Sequence, residues 1–153
     1  MMKVLSAMLI GLGLLAAASA QNEKPQPKPS AKLPQPVIDA HELMEIFSEP
    51  LYEDLKKKMA EQPENDRAWK LLAREGYRAA EVANLIAMRE QAEEHAKIWE
   101  KESADARQGG INLADAAKKK DWPAVQTAYK TIIQSCNSCH QQVDPDHAPK
   151  IEP

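Results

Sequence analysis

This sequence has few aromatic residues, few cysteines and no excess of basic residues. Aromatic side chains make up 5% of the 153 residues, while alanine, leucine, lysine and glutamate are plentiful, which favours helices over a sheet protein. The 20 basic residues do not exceed the 23 acidic ones, so a nucleic acid is not expected as a partner. Only two cysteines are present, too few for the usual ligand set of a structural zinc site.

Both cysteines belong to one short motif. Residues 136–140 read Cys-Asn-Ser-Cys-His, which is the C-x-x-C-H pattern that attaches a c-type haem. Each thiol adds across one vinyl group of the macrocycle, and the adjacent imidazole binds the iron. On a helix, Cys136, Cys139 and His140 fall at i, i+3 and i+4 and point the same way. The sequence therefore predicts one covalently attached haem c, with His140 as a ligand of its iron.

Three other interpretations of this spacing are open on the sequence alone. A thiol–disulfide redox pair uses the same C-x-x-C spacing, but in a βαβ setting, and nothing in this sequence has the pattern of a strand. A structural zinc site is the second interpretation, although it needs about four ligands. The third is a plain disulfide across one helical turn, which is strained because the two side chains point in unsuitable directions.

The start of the chain has the features of a targeting segment followed by a spacer. Lys3 precedes an apolar run at residues 4–18, and residues 18–20 read Ala-Ser-Ala, which predicts a secretory signal peptide over 1–20. The apolar run, about 15 residues, is too short to span a bilayer comfortably, so no stable membrane span is expected. Prolines among lysine and glutamine predict a disordered tether over 21–36. Because c-type haem is attached outside the cytoplasm in bacteria, the predicted location is the periplasm.

Residues 37–142 carry four apolar patterns with helical spacing, separated by short links. Short links between helices favour antiparallel neighbours. The predicted fold class is therefore all-α, an antiparallel up-down-up-down four-helix bundle, followed by a flexible tail over 143–153. The predicted helices occupy 37–60, 66–90, 91–119 and 121–142.

Particular residues in this region predict local irregularities. Pro50 predicts a kink or a break at Ser48-Glu49 in the first helix, and Gly109-Gly110 predict a weak point in the third. Small residues in the second helix predict the close approach of a neighbouring helix or a bulky group. The apolar stripe predicted for the first helix consists of Met44, Phe47, Leu51, Leu55 and Met59.

The predicted bundle limits the candidates for the sixth ligand of the iron. Its fourth helix ends beside the start of the first, the end of the second and the start of the third. Met44 is the predicted sixth ligand because it lies on the apolar stripe, one to two turns into the first helix; packing on the haem face alone is the alternative. His41, one turn earlier, is a candidate to hydrogen-bond a propionate, and Arg89 a candidate to pair with one. His95 and His147 receive no role.

The sequence resembles the cytochrome c′ family of helical monohaem cytochromes over about residues 37–142. The resemblance implies thioether anchors at Cys136 and Cys139 and a proximal ligand at His140. It places Met44 at the family's distal position, which holds either a ligating methionine or a leucine-like residue that leaves the iron five-coordinate. Pairing of two copies through the first two helices is also implied. The resemblance depends on the haem motif and on stretches at 69–71, 84–89 and 120–126. This chain departs from the family's usual residues at three positions, where it has Ala40, His41 and Asp144.

Together these features predict an exported monohaem cytochrome that transfers single electrons to or from a redox partner protein. An enzyme is not predicted, because no convergent carboxylates or activated nucleophile accompany the haem motif. The alternative is a five-coordinate binder of nitric oxide or carbon monoxide with an open distal face. The second alternative is a haem-free helical interaction module whose C-x-x-C-H is accidental or binds zinc.

Overall fold

The computed structural model describes residues 35–89 and 92–153. The predicted signal peptide over 1–20 and the predicted tether up to residue 34 lie outside the described residues. Within the described ranges every regular element is helical and no strand occurs, which confirms the predicted all-α class. In the same ranges, no helix combines the length and the apolar character needed to cross a bilayer.

The helices follow the predicted order along the chain. Asp39, Asn65 and Asp121 begin helices, because each side chain accepts a hydrogen bond from a backbone N–H three residues ahead. Lys120 ends a helix in the left-handed conformation, at φ 58°. The elements are α1 Ala40–Leu43, a π-helical turn Met44–Ser48, α2 Glu49–Met59, α3 Asp66–Ala87, a 3₁₀ turn Glu93–His95, α4 Ala96–Lys119 and α5 Trp122–Val143.

The π turn joins α1 to α2 at the position where the sequence predicts a kink or break. The backbone N–H of Glu49 donates to the carbonyl of Met44, five residues earlier. Pro50 follows directly, and its ring would crowd the carbonyl four residues before it in a regular α-helix. A wider turn relieves that crowding, and such turns are frequent at functional sites. The predicted break is therefore a change of helix type that ends at Ser48.

Two facing glycines bring α3 and α4 into backbone contact. A Cβ atom built on Gly110 would lie 2.6 Å from both the Ala80 nitrogen and the Gly76 oxygen. A Cβ built on Gly76 would lie 2.6 Å from the Ala114 nitrogen. Only hydrogen fits at these two positions. This confirms the close approach of a neighbouring helix that the small residues of the second predicted helix, α3, indicated.

Gly109, next to Gly110, allows α5 to approach α4 closely in the same way. A Cβ atom there would lie 2.8 Å from Cγ1 of Ile132. Consecutive helical residues point about 100° apart, so Gly109 faces α5 while Gly110 faces α3. The helix α4 continues without interruption through both glycines.

A contiguous apolar core joins α2, α3, α4 and α5. Trp69 meets Trp122 edge to face, with ring centroids 6.1 Å apart. Leu43 and Trp99 are also buried but do not belong to this core, which therefore stops short of the start of the first helix and the start of α4. The large buried members of the core are Leu51, Leu55, Trp69, Leu72, Leu113, Val125, Tyr129, Ile132 and Ile133.

Candidate functional site

The Cys-Asn-Ser-Cys-His motif lies in the last turns of α5. Asp121 starts this helix by accepting a hydrogen bond from the Ala124 N–H at 3.1 Å. The helix then runs unbroken to Val143, so Cys136, Cys139 and His140 do have the helical spacing that places them on one face. All three side chains are partly buried.

The two thiols are free and are not joined in a disulfide. Burial is the main cause that raises the pKa of Cys136, to about 11, and the negative charge of Glu102 adds to it. The pKa of Cys139 is raised by burial and by the same carboxylate. A redox-active thiol pair depends on a lowered pKa and a stable thiolate, so this environment is unlike that of a thiol–disulfide exchange site.

The imidazole of His140 has one nitrogen committed to the backbone. Its Nδ1 lies 2.7 Å from the carbonyl oxygen of Pro149. A carbonyl oxygen only accepts, so Nδ1 carries the proton and donates it. The lone pair is then on Nε2, which is the arrangement that a metal-binding histidine needs.

The end of the chain returns along α5 and contacts the motif. The Asn137 side chain donates to the Ile151 carbonyl and accepts from the Ile151 N–H, both at 2.8 Å. The Tyr52 hydroxyl of α2 donates to the Glu152 carbonyl at 2.8 Å. We call residues 148–152 the C-terminal strap. A flexible tail was expected over 143–153; in the structure, residues 149, 151 and 152 of this segment form hydrogen bonds to α5 and α2.

Glu102 is a buried carboxylate beside the motif that the sequence analysis did not single out. It is 6% exposed and accepts from the Ser138 hydroxyl at 2.9 Å and from Lys101 at 2.8 Å. Glu102 is a charged residue, so it does not belong to the apolar pattern from which this helix was predicted. Glu102 is seven residues, or one heptad, before Gly109, which is on the side of α4 that meets α5. This spacing is the sequence signal that identifies the inward position of Glu102.

The π turn changes which side chains of the first helix face the interior. In a regular α-helix Met44, seven residues before Leu51, would share its face. The wide turn adds one residue to that spacing, and Leu43 is the buried side chain, at 1% exposed. Met44 is partly buried. The predicted stripe is confirmed at Leu51 and Leu55 but is wrong at Phe47, which is 44% exposed.

His41 and Arg89 have polar partners other than the residues of the motif. The His41 side chain is 80% exposed, and its Nδ1 is 3.8 Å from the Glu45 carboxylate. Arg89 donates to the Leu85 carbonyl and, with Trp99, lines a cleft of about 400 Å³ between α3 and α4. Among the described residues, neither forms a hydrogen bond or ion pair with the α5 motif.

The donor set and its surroundings fit a haem. Two free thiols one turn apart and an imidazole with a free Nε2 match its anchors and its proximal ligand. Three buried polar atoms lack a partner in the described part of the chain: Ser48 Oγ, Arg89 Nε and Tyr129 Oη. Of these, Tyr129 is on α5 together with the motif. Burial, with smaller contributions from Tyr52 and Cys136, raises the pKa of Tyr129 to about 12. Such orphaned donors are usually explained by a bound group or water.

No set of three or more His, Cys, Asp or Glu side chains within residues 35–89 and 92–153 is placed to hold a metal ion. Comparison of the chain with protein-family profiles, with characterised proteins and with solved structures found no match.

Proposed function

We propose that this chain is an exported monohaem c-type cytochrome of the cytochrome c′ type that carries single electrons. Cys136 and Cys139 hold the haem as thioethers, and His140 is its proximal ligand through Nε2. The haem, when bound, supplies a one-electron iron couple. The protein exchanges electrons with a partner protein in the periplasm, to which the segment over 1–20 directs it.

One observation carries this proposal: the orientation of His140 beside two free thiols. Its Nδ1–H donates to Pro149 at 2.7 Å, while Cys136 and Cys139 remain unpaired on the same helix. Burial raises the pKa of both thiols, which disfavours the thiolate form that a nucleophilic cysteine needs.

The bundle topology is part of the proposal and is supported by contacts between helix ends. Near one end, Lys120, which follows α4, pairs at 2.7 Å with Asp66 at the start of α3. Near the other, Trp99 of α4 donates to the Ile86 carbonyl of α3 at 3.1 Å. Ser138, late in α5, meets Glu102, early in α4. These pairs favour antiparallel neighbours in an up-down-up-down order.

Met44 is the proposed sixth ligand. It lies in the π turn, the most irregular part of the first helix, and its partly buried thioether is a flexible, polarisable group suited to iron. Methionine ligation favours the ferrous state and closes the distal face to small gases.

Leu43 favours a second candidate function, a five-coordinate cytochrome that binds nitric oxide or carbon monoxide. It is the buried side chain at the start of the first helix, at 1% exposed, whereas Met44 is less deeply placed. An aliphatic group over the iron offers no ligand, so the sixth position stays open.

The deciding experiment is spectroscopy of the mature secreted protein. We expect its intact mass to include one haem, and the ferric spectrum to be low-spin with little carbon monoxide binding. Met44→Leu should then give a high-spin ferric spectrum and rapid carbon monoxide binding. Met59→Leu is the control, because Met59 is the last residue of α2, at the opposite end of the first helix from Met44, and should leave the spectra unchanged.

Other outcomes of this experiment also have definite meanings. A high-spin ferric spectrum and rapid carbon monoxide binding in the unmodified protein would remove Met44 as a ligand and support the gas-binding function. Leu43→Ala should in that case accelerate carbon monoxide binding further. A mature protein without the added mass of haem would end both proposals.

A further inference from the structure

The C-terminal strap directs its hydrogen bonds at the motif itself. Two of the motif residues bond to strap backbone: His140 to the Pro149 carbonyl, and Asn137 to both polar groups of Ile151. A small cleft of about 120 Å³, lined by Asn137, His140 and Pro149 among others, separates the strap from α5. The strap is thus connected to the motif mainly by specific hydrogen bonds rather than by continuous packing.

The Asn137 pair fixes the acceptor that His140 uses. A side-chain amide that both donates to and accepts from one residue allows very little rotation of that backbone. Ile151 is two residues after Pro149, whose own ring restricts φ. The Ile151 side chain packs against the apolar core, and the Tyr52 hydroxyl holds the next carbonyl, that of Glu152, at 2.8 Å. The position of the Pro149 carbonyl is therefore set from its C-terminal side.

We infer that Asn137 and the C-terminal strap are a positioning device for the His140 ring. A fixed carbonyl 2.7 Å from Nδ1 selects the tautomer that leaves Nε2 free, and it limits rotation of the ring on α5. A hydrogen bond from Nδ1–H also increases the basicity of Nε2, which strengthens it as a donor to ferric iron. The selection of the tautomer is a property of the polypeptide, while the effect on iron rests on the proposed function.

The test compares Asn137→Ala with a control on the same helix. Asn137→Ala removes both bonds to Ile151 without changing any charge, whereas Gln134→Ala removes an exposed amide one turn earlier. The full-length secreted protein is labelled with ¹⁵N, and the ring nitrogens of His140 are observed in the diamagnetic ferrous carbon monoxide or low-spin ferrous form. The midpoint potential is measured on the same samples.

We expect the unmodified protein and Gln134→Ala to show one His140 tautomer with a slowly exchanging Nδ1 proton. In Asn137→Ala that proton should exchange roughly tenfold faster or more, because two hydrogen bonds that held its acceptor are lost. The midpoint potential should move to more positive values, since the ring becomes a weaker donor. Asn137→Asp, which keeps the acceptor for the Ile151 N–H and loses the donor, should fall between the two.

The proposal is overturned if Asn137→Ala matches Gln134→Ala in both exchange and potential, even if it lowers the melting temperature. A chain that ends at His147, which lacks the Pro149 carbonyl altogether, gives an independent check and should show the same changes in larger measure. If the secreted protein carries no haem, the proposed function fails. The ring-nitrogen spectrum of that haem-free protein still tests the strap, because the tautomer does not depend on iron.

Discussion

The contact between α3, α4 and α5 around the glycines and the region around the haem motif are built on opposite principles. In the first, Gly76, Gly109 and Gly110 remove side chains so that helices touch, and a Cβ added at any of them would approach another atom to within 2.8 Å. In the second, two partly buried thiols are not joined in a disulfide, and the buried hydroxyl of Tyr129 lacks a hydrogen-bond partner among the described residues.

This difference separates the residues that hold the fold from those that we propose to hold the haem. Interiors filled to the density of crystals tolerate little added volume, so the glycine region has no space to accept a cofactor. Buried polar groups without partners lower stability, and they persist where a bound group gives them a role. The predictions below change one region at a time.

The largest effect is expected from removing the anchors. Cys136→Ser combined with Cys139→Ser should abolish covalently bound haem, because a serine hydroxyl does not add to the vinyl groups. Intact mass and in-gel haem staining of secreted protein measure the loss. Gln134→Ser, on the same helix outside the motif, should retain full attachment. Haem still covalently bound in the double variant would mean that the motif is not the attachment site.

Gly110→Ala should be the most destabilising small change in the glycine region. Its Cβ would meet backbone atoms of α3 at 2.6 Å, which cannot move aside singly, so we expect a loss of about 1–3 kcal/mol in the free energy of unfolding. Chemical denaturation measures this loss.

Gly109→Ala is the matched control for that change. Its Cβ would meet a side-chain atom, Cγ1 of Ile132, at 2.8 Å, while the nearest backbone atom is 3.3 Å away. The Ile132 side chain is stiff at this bond but can still shift more easily than the backbone that Gly110 faces. The gain of about 1 kcal/mol in helix propensity offsets part of the remaining cost. Equal losses of unfolding free energy from Gly109→Ala and Gly110→Ala would contradict the view that the α3–α4 contact is tighter than the α4–α5 contact.

Two tyrosines near α5 should respond differently to the loss of their hydroxyls. Tyr52→Phe removes the bond to the Glu152 carbonyl and should lower the unfolding free energy by about 1 kcal/mol. Tyr129→Phe removes a buried hydroxyl that has no protein partner in the described ranges. In haem-free protein it should be neutral or slightly stabilising. A clear loss of stability for Tyr129→Phe in haem-free protein would show that its hydroxyl is bonded after all.

The smallest effect is expected from the charge beside the thiols. Glu102→Gln keeps an acceptor for Ser138 and removes a negative charge that raises the pKa of Cys139. The pKa of Cys139 should fall only slightly, because burial is the larger cause of its raised value. Alkylation of haem-free protein below the thiol pKa should therefore become faster, since the thiolate is the reactive form.

Asp105→Asn is the control for this experiment. Asp105 pairs with the same Lys101, at 2.8 Å, but does not contribute to the raised pKa of either cysteine. Its alkylation rate should match that of the unmodified protein. Similar acceleration in both variants would assign the effect to Lys101 rather than to the carboxylate of Glu102.

The helices were largely predictable because their signals are local. Asp39 and Asp121 are of a residue type favoured at helix N-caps, and each accepts the backbone hydrogen bond that a cap requires. The apolar residues that recur at helical spacing in α5, from Val125 to Ile133, are buried. The motif gave the anchors and the predicted ligand directly, since a five-residue run on one helix needs no tertiary contact to be recognised.

The strap and the register of the first helix were not predicted, because both depend on contacts that a linear pattern does not encode. The strap is held through the carbonyls of Pro149, Ile151 and Glu152, and every residue type has such a group. The register of the first helix was predicted with α-helical spacing, which fails at Phe47 because the π turn precedes Pro50. Proline marked the place of the irregularity, but its form depends on how the neighbouring turns pack.

The π turn also bears on how the length of this chain can vary. Deletion of any one residue within Met44–Ser48 would place Leu43 seven positions before Leu51, which is two ordinary α-helical turns. Leu43 would then keep its inward position in a regular helix. Chains that differ here by a single insertion or deletion would thus present the same side chain to the interior, and an alignment without a gap would pair Leu43 with the wrong residue.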